Sequence, residues 1–462
     1  MNRRALVLRW AALLALALAV GPAPTARAGG EPELAGVPKV PFEKYVLANG
    51  LEVVLHQDRR VPLVFVSVWY HVGSGDETPG RSGFAHLFEH MMFQGSKHTG
   101  EDVHFDTLRN AGATNVNGTT NTDRTNYFEE VPSNQLEVAL WLESDRMGYL
   151  LELVTQKSLD NQREVVRNER RQNYDNVPYG KDRFAVAKAL YPEGHPYRYL
   201  TIGRHEDLAA ASLDDVKRFF RTWYVPSNAT LVIAGDFETK AARQLVTKWF
   251  GAFPTTPRPE HREVSLPEAT RSRTTVPDEL AHLRRLHYAW HSPASYTAGD
   301  GEFDLLAHAL GSDGTGRLYK LLVHEKQLAK QVMVYQASAQ RSSEFHVVVD
   351  LKEDADLGVV TTLLDAELER VRSEPIAESE LARAVTSIEA SFIWGLESTM
   401  ARGEALQAYN HFLGTPSGFA RDLGRYREAT AAGIRDYAAR FLPPERRVEI
   451  LTVPAKKQEV RP

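Results

Sequence analysis

The stretch Pro254-Thr255-Thr256-Pro257-Arg258-Pro259-Glu260 constrains most strongly what this chain can fold into. Three prolines among polar neighbours neither continue a helix nor sit inside a sheet. They follow the helix-like run Thr239 to Phe250 and leave segments of similar size on either side. A chain of 462 residues outgrows one hydrophobic core, so at least two domains are expected, divided here. The two segments also look alike. Phe219 to Ile233 carries Trp223, Tyr224 and Pro226 before Leu231-Val232-Ile233; displaced by 218 residues, Phe441, Leu442 and Pro444 precede Ile450-Leu451. The same displacement sets Leu306-Ala307-His308 against Phe88-Glu89-His90 and Asp304 against His86. This predicts a second half copied from the first with a polar site lost, the alternative being a chance likeness of two helix–strand pairs.

The local pattern of the first half reads clearly. Asn49-Gly50 between Tyr45-Val46-Leu47 and Leu51 to Leu55 predicts a β-hairpin, and Val61 to Tyr70 a strand buried on both faces. Helical runs are expected over Ser82–Phe93, Glu101–Ala111, Asn134–Gly148 and Thr155–Asn173, with a polar strand pair from Asn115 to Val131. The first of these helices contains His86-Leu87-Phe88-Glu89-His90. Positions i, i+3 and i+4 share one face, so two imidazoles can grip a zinc ion while Glu89 reaches the water such an ion activates. This is the inverted H-x-x-E-H order of one class of zinc peptidases. Without a metal, the same pattern is only a polar helical face.

Arg3, Arg4 and Arg9, the apolar Ala11 to Val20 and then Ala26-Arg27-Ala28 form the pattern of a removable signal peptide over residues 1–28. The apolar run is too short to span a bilayer comfortably, so no stable membrane span is expected. Removing this segment subtracts four arginines and no acid, taking the net charge from -5 to -9. That balance speaks against a nucleic-acid partner. The chain has no cysteine, which excludes thiolate zinc sites, disulfides and lipid attachment through Cys. A periplasmic or secreted bacterial protein is the expected setting.

Four motifs extend the picture: Gly83-Phe84-Ala85-His86-Leu87-Phe88-Glu89-His90-Met91-Met92-Phe93, Asp123-Arg124-Thr125-Asn126-Tyr127, Leu142-Glu143-Ser144-Asp145-Arg146-Met147, and Arg163-Glu164-Val165-Val166-Arg167-Asn168-Glu169-Arg170. Together they resemble the M16 (pitrilysin-like) zinc metallopeptidases over nearly all of the chain after residue 28. The length resembles the short M16B type, similar to the mitochondrial processing peptidase beta subunit and bacterial homologues. The resemblance implies an α/β fold, an α+β sandwich of two duplicated M16-type domains, each a largely antiparallel sheet packed with helices. The expected bounds are 38–252 for a zinc-binding peptidase domain, 253–270 for the linker and 271–456 for a domain without a metal site.

The resemblance further implies one Zn2+ per chain, held by His86, His90 and a glutamate on a separate helix. Glu164 and Glu169 both compete for that role. The family register favours Glu169, with Gln162 beside the metal where the family usually carries glutamate. Glu89 is the implied general base and acid. An edge strand around Thr114, Asn115, Asn117, Gly118 and Thr119 is implied to pair with an extended peptide substrate. Read from residue types alone, Asn117-Gly118 is a turn signal and Asp123, Arg124 and Tyr127 are structural, with Asp–Arg pairing. Active family members also use an arginine and a tyrosine from an opposing half. Here the matching positions are Val323 and Lys330, unless Arg317 or Tyr319 substitutes. A heterodimer with a zinc-less M16 homologue supplying that pair is the implied assembly. An inactive assembly subunit, or a protein that encloses peptides without cutting them, is the competing expectation.

Overall fold

The computed structural model describes residues 35–37, 39–101 and 103–455, so the signal-like residues 1–28 lie outside the described residues. The first half builds a six-stranded sheet from β1 (Glu43–Val46), β2 (Glu52–Gln57), β3 (Leu63–Tyr70), β4 (Thr114–Thr120), β5 (Thr125–Pro132) and β6 (Ala229–Gly235). Their order is β1-β2-β6-β3-β5-β4, which leaves β4 on an edge. The second half builds a five-stranded sheet from β7 (Ser272–Asp278), β8 (Arg285–Ser292), β9 (Ala329–Ala337), β10 (Ser343–Leu351) and β11 (Val448–Pro454), in the order β7-β11-β8-β10-β9. Both sheets are mixed, because β2 runs parallel to β6 and β7 parallel to β11; the remaining pairs are antiparallel. Residues 255–271 connect the two sheets without helix or strand.

Among the described residues, eight α-helices belong to the first half: α1 (Phe84–Met91), α2 (Val103–Asn110), α3 (Leu136–Tyr149), α4 (Gln156–Arg170), α5 (Gly180–Leu190), α6 (His205–Ala209), α7 (Leu213–Trp223) and α8 (Thr239–Phe250). The second half carries α9 (Asp300–Gly311), α10 (Arg317–Tyr319), α11 (Leu357–Ser373), α12 (Glu378–Gly395), α13 (Thr399–Leu413), α14 (Phe419–Arg427) and α15 (Ala431–Phe441). The duplication is visible in this order. Moving α1, α5, α7 and β6 by the 218-residue displacement lands them on α9, α13, α15 and β11. The halves are tandem copies, each a mixed sheet packed against helices.

Each half packs one helix on the other half's sheet. Val186 and Leu190 of α5 bury against Ala289, Val448 and Ile450 of the second sheet. Leu406 and Tyr409 of α13 bury against Val54 and Val232 of the first. Several polar groups inside these contacts find a partner across them, as burial favours. Gln407 Nε2 donates to the carbonyls of Ser67 and Thr230, both at 2.9 Å. Asp182 of α5 meets His287 of β8 at 2.7 Å. β3, which carries no charged side chain, is therefore covered on both faces, and its residues from Val64 to Tyr70 are all buried.

Gly403 lets α13 seat this closely, since a Cβ there would stand 2.4 Å from Phe65 Cδ1. Alanine is the better helix former by about 1 kcal/mol. We nevertheless expect Gly403→Ala to destabilise the protein by about 1–3 kcal/mol through overpacking. Thermal unfolding followed by circular dichroism checks this; an unchanged or raised Tm would show that α13 is not tightly seated.

Candidate metal centre

Helix α1 is held at its start by hydrogen bonds to a buried carboxyl and by close backbone contact. The Glu77 carboxylate accepts from the amides of Gly83 (3.0 Å) and Ala85 (2.8 Å), donors that a helix N-terminus leaves without internal partners. Gly83 itself adopts φ 86°, and a Cβ on it would press against Gly203 Cα at 2.8 Å. Phe84, Ala85, Leu87, Phe88 and Met91 bury one side of the helix. His86, Glu89 and His90 are left on the side facing α4 and β4.

Helix α4 starts at a capping box between Thr155 and Ser158 and buries Leu159, Gln162 and Val166. Its next turn presents Glu169. Glu169 Oε2 lies 3.6 Å from His86 Nε2 and 3.4 Å from His90 Nε2. Glu164 turns away and pairs with Arg167. The helix then passes into a π-turn, Arg171–Asp175, where Asp175 meets His205 at 2.9 Å and the Arg170 guanidinium covers the Phe184 ring at 4.6 Å. These contacts anchor the end of α4 that carries Glu169.

The three side chains fit a zinc ion. Ligands about 2.1 Å from a tetrahedral ion stand about 3.4 Å apart, close to the spacing observed. Burial and the neighbouring His90 push the His86 imidazole down to about 4, so it is neutral with a lone pair to offer. His90 would be lowered by burial as well, but Glu169 and Glu89 together lift it. The hydrogen bond from His90 holds Glu169 below the usual carboxylate range. Gln162 is buried, lines the same cleft and raises the proton affinity of His90.

Glu89 is buried and its carboxyl is pushed up by that burial. Thr120 Oγ1 donates to its Oε2 at 2.6 Å. Gly118 lies against it: a Cβ there would stand 3.1 Å from Glu89 Cγ, Phe93 Cε2 and Tyr127 Cδ1 alike. These groups line a cleft of about 540 Å³, bounded by α1, α4, β4 and the stacked rings of Phe93 and Phe105.

The structure distributes the substrate-strand candidates unevenly. Asn117, Gly118 and Thr119 line the cleft, in a continuous strand and not in a turn; the turn falls at Asn121–Arg124. Thr114 and Asn115 lie beyond a bulge, exposed and within reach of Glu130. Asp123 does not pair with Arg124. It accepts instead from Tyr197 Oη (2.6 Å) and from the amide of Gln340 in the second half. Arg124 donates to the Thr119 carbonyl at 2.8 Å and lies over Trp69. Thr120, Phe93 and Phe105 were not singled out by sequence, although Thr120 stands two residues from Gly118 and shares its face.

His104, Glu129 and Glu143 also converge, fully buried. There Arg146 is bonded to Glu143 through both Nε and Nη2, so a cation is already built in, and burial beside Glu143 holds Glu129 well above the usual carboxylate range. Among the described residues the second half keeps no counterpart of the His86–His90–Glu169 cluster. Asp304, placed like His86, accepts from Tyr426 Oη at 2.7 Å.

Comparison with known proteins agrees with this architecture. Residues 52–187 match the family model for insulinase (peptidase family M16), and residues 210–388 match that for the M16 inactive domain. The chain is 30% identical to zinc protease PqqE of Helicobacter pylori over 77% of its own length and 80% of that protein. It superposes on a protease from the same species with a TM-score of 0.83 at 25% identity, over 90% of this chain and all of the other. Human insulin-degrading enzyme is 24% identical over 69% of this chain, which spans only 32% of that enzyme. The chain belongs to peptidase family M16.

Purified protein should contain about one zinc per chain. Glu169→Gln should lose most of that metal, whereas Glu164→Gln should keep it, as measured by elemental analysis after dialysis. Equal retention by the two variants would exclude Glu169 as a ligand.

Proposed function

We propose that this chain is a zinc-dependent endopeptidase that cleaves extended peptides or short unfolded segments. The observation that supports this best is the meeting of three spaced ligands, a buried carboxylate and an edge strand in one open cleft. His86, His90 and Glu169 hold the metal. When bound, zinc supplies Lewis acidity, which acidifies water and draws charge from a peptide carbonyl. Glu89 takes the proton from the attacking water and later delivers it to the leaving amine. Its raised proton affinity suits that exchange, because a carboxyl that holds its proton more tightly is both the stronger base and still an acid. The outer edge of β4 offers backbone groups to a peptide laid along it. Phe93 and Phe105 form an apolar wall, which favours an apolar or aromatic residue beside the cleaved bond.

Gln162 keeps a hydrogen-bonding partner for His90 but brings no negative charge near the metal. We infer a less electron-rich site than a glutamate there would give. Export is supported by the basic and apolar start of the chain. A protein of the same fold, PqqL of Escherichia coli, is described as periplasmic. Among the described residues no helix is long and apolar enough to cross a membrane.

The second half supports a partner. Val323 is half-buried and packs against the second core, and Lys330 projects from edge strand β9; neither offers a guanidinium or a phenol. Arg317 cannot substitute, because Glu380 (2.6 and 2.8 Å) and Glu367 (3.1 Å) hold it. The proposal is therefore a heterodimer in which a zinc-less M16 homologue supplies the arginine and tyrosine opposite this chain's metal site. This also accounts for a second reading, weak activity by the chain alone.

Glu89→Gln should reduce hydrolysis of a quenched fluorescent peptide by a factor of about 100 to 10,000 with zinc still bound. Near-normal turnover by that variant would exclude the mechanism. The partner proposal expects activity to rise when a zinc-less M16 homologue from the same source is added. Full activity of the chain alone, unchanged by that addition, would overturn it.

A further inference from the structure

We propose that Thr120 couples peptide docking to orientation of the general base, acting as a positioning residue for Glu89. The inference rests on the endopeptidase reading above and assigns a role to a residue that the H-x-x-E-H motif does not contain.

The backbone of β4 can be divided into inward and outward groups. Asn121 N donates to Arg124 O at 3.0 Å, which closes the β4–β5 hairpin with a bonded pair. Opposed residues in an antiparallel ladder alternate between bonded and non-bonded pairs. The register is continuous through Thr120↔Thr125, Thr119↔Asn126, Gly118↔Tyr127 and Asn117↔Phe128. Thr119 and Asn117 therefore face β5, while the N–H and C=O of Gly118 and Thr120 face away from the sheet. The Gly118 amide agrees with this, since it is taken by the Asn117 Oδ1 at 2.9 Å and not by β5. Gly118 and Thr120 are the residues whose main chain a peptide strand would engage.

The side chain of Thr120 faces the chemistry at the same time. Its hydroxyl donates to Glu89 Oε2 at 2.6 Å and is the one hydrogen-bond partner of that carboxylate among the described residues. Its Oγ1 also stands 3.4 Å from Thr125 Oγ1, which donates to the Val72 carbonyl at 2.9 Å. Thr120 is thus seated against β5 while it holds Glu89. Gly118 leaves room for Glu89, because a Cβ there would press on Glu89 Cγ at 3.1 Å. A peptide bonded to the Thr120 main chain would narrow the motion of β4 and, through the hydroxyl, that of the carboxylate. Docking and base orientation then share one residue. Generic strand pairing does not require this, since it needs no particular side chain at position 120.

The test is steady-state kinetics on Thr120→Val, which removes the hydroxyl with little change of shape, and on Thr120→Ser, which keeps it. Thr120→Val should lower kcat about 100-fold, the scale of a misplaced catalytic group, with KM within about twofold. Zinc content and Tm should match those of the unsubstituted chain. Thr120→Ser should recover most of the lost kcat. In a Glu89→Gln background, Thr120→Val should add no further loss, because the hydroxyl acts through Glu89. Unchanged kcat in Thr120→Val beside an inactive Glu89→Gln would overturn the proposal while leaving the peptidase reading intact. So would a loss that serine does not recover. An active Glu89→Gln would instead remove the peptidase reading itself. If Thr120→Val does not fold, Thr120→Ala and Thr120→Ser provide the same comparison.

Discussion

A helix with one greasy side and one side made of two imidazoles and a carboxylate is the constraint on which this structure depends. Such a helix cannot be buried on all sides, because an unpartnered polar group in the interior costs several kcal/mol. It cannot be left on the surface either, since Phe84, Leu87, Phe88 and Met91 need cover. The fold resolves the conflict by clamping α1 between a core and a cleft. Glu77 accepts from its N-terminal amides, α4 brings Glu169 to the histidines, and β4 brings Thr120 to Glu89. Each polar group on the exposed face thereby acquires a partner or a place in a ligand set.

The duplicated architecture explains why so little of this machinery sits in the second half. The second sheet repeats the order of β2, β6, β3, β5 and β4, to which the first adds β1, and each copy lends a helix, α5 to one sheet and α13 to the other. That exchange buries both faces of the central strands and ties the halves together through hydrogen bonds such as those of Gln407 Nε2 and Asp182 Oδ2. The second copy thus supports the first mechanically. In place of a ligand set it has Asp304 accepting from Tyr426 Oη and Asp300 paired with Arg425. A site under no chemical demand settles into ordinary ion pairing.

Close backbone approaches help to shape the cleft. Gly83 takes a left-handed conformation at the start of α1, and Gly118 makes the closest approach to Glu89. A π-turn begins two residues after Glu169, and a second one, Lys320–Glu325, lies in the other half. Irregular helical turns of this kind commonly sit at functional sites, where they aim a side chain that regular geometry would misplace.

By itself the sequence determined what depends on local periodicity. Helical pitch alone puts His86, Glu89 and His90 on one face, and alternation and turn residues located the β1–β2 hairpin, β3 and the β4–β5 pair. The 218-residue likeness disclosed the duplication, since copied cores repeat their apolar positions. Tertiary structure decided everything that depends on distance between segments remote in sequence. That Glu169 faces the histidines while Glu164 turns to Arg167 follows from how α4 lies against α1. That Asn117-Gly118 is strand and not turn follows from pairing with β5, which overrides the local preference of those residues. Thr120 was invisible for the same reason: a threonine in a polar strand carries no signal, and its meaning arises only because the packing of α1 beneath β4 sets Glu89 within hydrogen-bonding distance.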